Sequence, residues 1–204
     1  MKIERQPSRI VKLRKPIRIT TNKDVRTREY LAEGEIDKLC KTIRQCSNYP
    51  DRDECIVLTM FRHALRIGET VALKWSQVNF KGGLLHVNRQ KGSLDGTHPI
   101  PGVELRLLRK LKRQKKSSRH IFMSERKAPM TTQAIYRMLR NIEKKAGFDF
   151  PIHPHMLRHS CGFYLANKGV DTRAIQLYMG HANISNTVIY TQLTSDRFQD
   201  FWQD

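Results

Sequence analysis

The most apolar stretch of the chain, Cys55-Ile56-Val57-Leu58-Thr59-Met60-Phe61, lies inside a segment at 53–65 whose apolar residues continue to Ala64. A helix this apolar belongs at the centre of a core, with other elements packed round it. The flanking segments have the pattern of such partners. Residues 33–44 place Ile36, Leu39, Cys40 and Ile43 at helical spacing. Residues 103–116 line up Leu105, Leu108 and Leu111, with seven Lys or Arg on the other side. Residues 131–146 turn Ile135, Met138, Leu139 and Ile142 inward, start at a Thr131 or Thr132 cap and stop at Gly147. Shorter helices are expected at 67–73, 155–168, 171–179 and 185–192, with Gly169 and Gly180 as stops. A last amphipathic turn at 195–202 presents Phe198, Phe201 and Trp202.

Two segments break the helical period. Residues 84–89 and 97–101 read as short strands around Gln90-Lys91-Gly92-Ser93-Leu94-Asp95-Gly96, a run of turn formers, so they form a β-hairpin. The expected class is mainly α with a small antiparallel β-sheet (α+β). A length of 204 residues suits one domain, at 29–204, plus an arm at 1–28. No internal repeat or low-complexity tract is present.

Charge points to partners. The chain has 38 Lys or Arg against 19 Asp or Glu, a formal net charge of +19. Such a balance selects polyanions, nucleic acid first and acidic membranes second. Residues 1–28 carry ten Lys or Arg and two acids, with Pro7 and Pro16 interrupting any helix. They read either as a flexible arm on phosphates, through Arg9, Lys12, Arg14, Lys15 and Arg18, or as a solvated tail. The outer face of 103–116 is equally a solvated face or a DNA contact. Arg137 and Arg140 are candidates to face DNA. No apolar run approaches the ~20 residues needed to span a bilayer. The start lacks the apolar stretch of a signal peptide. Cys40, Cys46, Cys55 and Cys161 show no Cys-x-x-Cys spacing and read as reduced packing residues. The expected location is therefore the cytoplasm, on the nucleoid.

Four short signals carry chemistry. They are Arg66 in Leu65-Arg66-Ile67-Gly68-Glu69, then His155-Met156-Leu157-Arg158, then Gly180-His181, then Tyr190 in Thr187-Val188-Ile189-Tyr190-Thr191. Two arginines, two histidines and a tyrosine suffice to break a phosphodiester without a metal. The tyrosine hydroxyl attacks phosphorus, and guanidiniums neutralise charge building on the non-bridging oxygens. Glu69 lies one turn after Arg66, placed to orient it or its neighbours. His153, His155 and His159 look like metal ligands, but zinc needs three or four ligands and no His-Glu-x-x-His pattern is present. His159 reads as a packing or internally bonded residue, and no metal is expected.

In order and spacing these residues resemble the tyrosine recombinases, the phage-integrase family. The run from His153 to Gly162 is most similar to the short recombinases that invert fimbrial promoter elements. The resemblance spans about 30–198 and implies the DNA breaking–rejoining fold. It implies Tyr190 as nucleophile, Arg66 and Arg158 as phosphate clamp, and His155 and His181 beside the phosphate. It also implies Lys91, at the hairpin tip, as the acid that protonates the departing 5′ oxygen. The implied reaction is site-specific recombination through a 3′-phosphotyrosine, with no metal, ATP or other cofactor. The implied partner is double-stranded DNA with paired sites, bound by a protein monomeric in solution and tetrameric on DNA, with room for accessory DNA-bending proteins. Larger relatives have a separate N-terminal helical domain where this sequence has only the basic arm. Two other readings fit the same residues: a type IB topoisomerase and a catalytically silent DNA-binding regulator.

Overall fold

The computed structural model describes residues 28–90, 92–114 and 118–191. In chain order these form α1 (Glu33–Cys46), α2 (Pro50–Arg62), α3 (Ile67–Ala72), β1 (Val78–Asn79), β2 (Leu84–Val87), β3 (Gly96–Pro99), α4 (Gly102–Gln114), α5 (Thr132–Ala146), α6 (Pro154–Asn167), α7 (Thr172–Met179) and α8 (Ser185–Thr191). The class is the one expected, mostly helical with a small antiparallel sheet.

Helix α2 is the hub. Every residue from Asp53 to Phe61 is buried, and α1, α4 and α6 pack round it. It starts three residues earlier than its apolar pattern suggests because Pro50 sits at the first helical position, where a missing N–H costs nothing. It stops three residues earlier because Ala64 turns left-handed, at φ +49°. There Leu65 N–H bonds Met60 O (3.1 Å) and Ala64 N–H bonds Phe61 O (3.3 Å), the paired bonds of a Schellman cap. Leu65 and Met60 are both fully buried, which supplies the apolar contact that accompanies this cap.

The sheet has the order β1-β2-β3, with Leu85 opposite both Val78 and His98. The third strand, β1, was not expected: two residues are too few to show alternation. On the covered face, His98 stacks on the Tyr178 ring at 3.9 Å and ties the hairpin to α7. Strand β2 ends at Val87 instead of residue 89, because Arg89 turns into the interior.

Caps fix the remaining helices. The Thr131 hydroxyl accepts from Ala134 N–H (3.1 Å), and Asp171 accepts from Arg173 and Ala174 N–H (2.9 Å each). Gly147 and Gly180 end α5 and α7 in the left-handed region. Helix α8 lies across α6 and α7. Residues 192–204, with the expected 195–202 turn, lie outside the described residues.

The two glycine stops have different surroundings. A Cβ on Gly180 would lie 2.6 Å from Leu94 O and 2.9 Å from Arg89 Cγ, whereas one on Gly147 meets nothing within 4 Å. Gly147→Ala should cost only the left-handed penalty, about 1–2 kcal/mol. Gly180→Ala should cost clearly more. Urea denaturation of the two variants checks the ranking, and equal losses would refute the packing described at Gly180.

Candidate active site

The site is built on the carbonyl end of α2. The last carbonyls of a helix lack intrahelical donors and carry partial negative charge. Here they are buried, so other groups must satisfy them. Arg62 O accepts from the Tyr178 hydroxyl (2.8 Å), and His63 O from Arg89 Nη2 (3.0 Å). Ala64 O accepts from Arg89 Nη1 (3.0 Å) and from Arg158 Nη1. One helix end thus fixes two guanidiniums.

Glu69 fixes the third. It reaches back to the Arg66 N–H (2.8 Å) as half of a capping box on α3, and it accepts from Arg66 Nη1 (2.8 Å). The same carboxylate takes Arg89 Nη1 (3.0 Å) and Gln90 N–H (3.2 Å). Burial alone would raise its pKa. The Arg66 N–H bond and the Arg89 charge outweigh burial and hold it below the usual carboxylate value. The other N–H groups of Arg66 have no hydrogen-bond partner among the described residues, and its side chain is 26% exposed.

Arg158, on α6, is 4% exposed and also donates to Met179 O (2.8 Å). Burial, then the Arg66 and Arg89 charges, lower its pKa to about 10. His181 follows the Gly180 stop. Its Nδ1 pairs with the Thr187 hydroxyl at 2.9 Å, and burial followed by the Arg158 charge lowers its pKa to about 4. Tyr190 is 1% exposed. Its ring meets Phe163 edge-on at 5.1 Å and lies so close to Gly162 that a Cβ there would come within 2.7 Å. Its hydroxyl pairs with His159 Nδ1 at 2.9 Å. Burial raises the Tyr190 pKa to about 12 and lowers that of His159 to about 4.

The structure therefore gathers Arg66, Glu69, Arg158, His181 and Tyr190 around the α2 end and its neighbours. His155 is exposed on the first turn of α6, and its ring centroid is 5.8 Å from that of His159. The imidazole on the tyrosine hydroxyl is His159. Arg137 is exposed; Arg140 is exposed but spends Nη1 on both Glu143 oxygens (3.0 and 2.9 Å). Lys91, Arg9, Lys12, Arg14, Lys15 and Arg18 lie outside the described residues. Among those described, no group of three or more His, Cys, Asp or Glu side chains is placed to hold a metal, and no helix is long and apolar enough to cross a membrane.

Sequence reasoning missed Arg89, and it read His159 as packed or internally bonded without foreseeing its partner. Arg89 shares the period-two inward face of Leu85 and Val87, a signal visible in the strand pattern. His159 directly follows Arg158, and its pairing with Tyr190 spans 31 positions, which no local spacing encodes.

The model of the phage integrase family matches residues 29–197. The chain belongs to that family, the tyrosine recombinases. The type 1 fimbriae regulatory protein FimB of Escherichia coli (strain K12) is 36% identical over 184 residues, covering 88% of this chain and 92% of FimB. The crystal structure of XerA recombinase aligns with a TM-score of 0.72 at 29% identity, over 82% of this chain and 61% of that one. XerH site-specific recombinase bound to its difH substrate shares the fold (TM-score 0.72, 20% identity), over 87% of this chain and 55% of that one.

The buried His98 and His181 and the half-buried His159 give this recombinase fold a pH signature. His98 has its pKa lowered to about 3, with burial the leading cause, and His159 and His181 theirs to about 4. Each binds a proton more readily in the unfolded chain, near pH 6.5. Stability should be full above about pH 6.5 and fall as pH drops toward 4, each histidine adding about 1.4 kcal/mol per pH unit to the slope. Urea midpoints across that range test this, and a flat profile would contradict it.

Proposed function

We propose that the chain is a site-specific DNA recombinase that cleaves and rejoins strands through a covalent 3′-phosphotyrosine on Tyr190, without metal or ATP. The observation that carries this reading is charge imbalance. Three guanidiniums, Arg66, Arg89 and Arg158, surround one carboxylate, Glu69, with a tyrosine hydroxyl beside them. The cluster lacks an anion, and one phosphodiester supplies it. An arginine pushed down to about 10 by burial and like charges gains from that anion.

In this scheme Arg66 and Arg158 hold the non-bridging oxygens, and His181 adds a hydrogen bond through Nε2. Glu69 orients Arg66. The Tyr190 oxygen forms its bond to phosphorus as the 5′ oxygen–phosphorus bond breaks. Tyr190 is protonated at neutral pH, so its proton must leave during attack; His159 Nδ1 is the group in place to take it. His155, one turn earlier on α6, faces the incoming phosphate. Lys91 protonates the 5′ oxygen. Rejoining is the reverse, with bond energy stored in the phosphotyrosine.

DNA is held by residues 1–28, through Arg9, Lys12, Arg14, Lys15 and Arg18, with Arg137 on the folded domain. Arg140 contributes less because Glu143 already occupies it. The protein is a cytoplasmic, nucleoid-associated monomer that assembles as a tetramer on paired sites, aided by DNA-bending proteins. The likeness to FimB and the fold shared with the DNA-bound XerH support this reading, with integration, excision or inversion of a DNA element as the outcome.

Tyr190→Phe should bind DNA with unchanged affinity and form no covalent complex, as read on denaturing gels with a nicked suicide substrate. A phosphotyrosine adduct in that variant would remove Tyr190 from the role. Cleavage by the unaltered protein should persist in excess EDTA, since arginines and Lys91 do the work divalent ions do in two-metal nucleases. Full inhibition reversed by Mg²⁺ would overturn the mechanism.

A further inference from the structure

Arg89 has no part in the scheme above, yet its guanidinium is bound from four directions. It donates to Glu69 Oε2 (3.0 Å), Ala64 O (3.0 Å), His63 O (3.0 Å) and Tyr178 O (2.8 Å). Its side chain is 0% exposed. Taking a guanidinium wholly out of water carries a large desolvation penalty, offset only by good pairing and hydrogen bonds. Each Nη makes two bonds to protein acceptors, where each Nη of Arg158 makes one, so Arg89 has no Nη–H left for a phosphate. Its partners come from the turn after α2, from α3 and from the end of α7. Those segments carry Arg66 and lead into His181.

The backbone around Arg89 is tied down as well. Arg89 N–H donates to Asp95 Oδ1 (2.7 Å), and Gln90 N–H to Glu69 Oε1 (3.2 Å). Past the loop, Leu94 N–H donates to Gly180 O (3.3 Å). The side chain crosses Gly180 so closely that a Cβ there would lie 2.9 Å from Arg89 Nε. Lys91 is two residues after Arg89 and directly follows Gln90. The loop's entry is thus bolted to the carboxylate that holds Arg66, and its exit to the turn that holds His181.

We propose that Arg89 is a positioning residue for the general acid: its buried guanidinium, fixed on Glu69 and the His63, Ala64 and Tyr178 carbonyls, sets where the β2–β3 loop brings Lys91 to the leaving oxygen. The inference rests on the reading of Lys91 as that acid. It differs from a purely structural ion pair in one respect. Loss of Arg89 should matter mainly when the leaving group needs a proton.

The test is single-turnover cleavage by the full-length protein on ordinary DNA and on DNA with a bridging 5′-thio group at the scissile phosphate. A thiolate leaves without a proton. Arg89→Met should bind ordinary DNA within about twofold of the unaltered protein and cleave it on the order of 10²-fold more slowly, within the span of general acid catalysis. On thio-DNA it should recover to within about tenfold. Lys91→Ala is run beside it. If Lys91→Ala is not rescued by sulfur, the acid reading itself fails. If Lys91→Ala is rescued while Arg89→Met is equally slow on both substrates, or slow on neither, the inference about Arg89 is overturned. Should Arg89→Met not fold, Arg89→Lys carries the same comparison: it keeps a charge opposite Glu69 but loses the planar fork that spans four acceptors.

Discussion

A buried helix must have somewhere to send its last carbonyls. In most domains water takes them; here α2 ends inside the core, and water has no access. The donors that replace it are Arg89, Arg158, Tyr178 and Cys161, drawn from the start of the β2–β3 loop, from α6 and from α7. Satisfying one helix end therefore pulls three distant segments together, and folding the core and assembling the site become one event. The left-handed Ala64 makes this possible: its turn swings the His63 and Ala64 carbonyls toward the arginines while Leu65 returns to the core. A residue with a Cβ in that region is strained by about a kilocalorie or two, which the surrounding packing has to hold in place.

The electrostatics follow from the same geometry. Cations gather because carbonyl oxygens attract them, and among the described residues Glu69 is the one carboxylate bonded to two of them, Arg66 and Arg89. Arg89 gives two bonds to protein acceptors from each Nη, whereas Arg158 gives one from each. Among the described residues Arg66 makes one side-chain hydrogen bond, to Glu69, and keeps N–H groups to spare at the rim. Arg89 sets the field from the interior, and the remaining N–H groups of Arg66 and Arg158 are left for an anion that approaches the site. Such a division suits a charged ligand that stays on the surface of the protein, as a duplex must.

Much of this was legible in the sequence. The apolar run at 55–61 announces a central helix because burial on all sides leaves no polar stripe to write. Gly147, Gly180, Thr131 and Asp171 mark helix ends by local chemistry. Arg66, Arg158, His181 and Tyr190 stand out through order and spacing. What escaped were features without a local pattern. Strand β1 has two residues. Arg89 follows the inward alternation of its strand, but a charged residue at a strand end is read as the start of a loop unless its distant acceptors are known. The His159–Tyr190 pair depends on how α8 lies across α6, a matter of tertiary packing. Ala64 occupies a left-handed position that sequence convention reserves for glycine, so nothing local marks the end of α2. Lys91 and both chain ends lie outside the described residues.

The seat of Tyr190 has an evolutionary consequence. Its aromatic ring uses the space that a side chain at position 162 would fill, so the two positions compete for one volume. Glycine there lets the ring sink to near-complete enclosure, and even one methyl group would wedge it outward. Any side chain at position 162 would change how deeply the ring sits and how its hydroxyl meets His159 Nδ1. A lineage can thus shift the seat of the tyrosine by altering a residue on the facing helix, without touching the tyrosine or its hydrogen-bond partner.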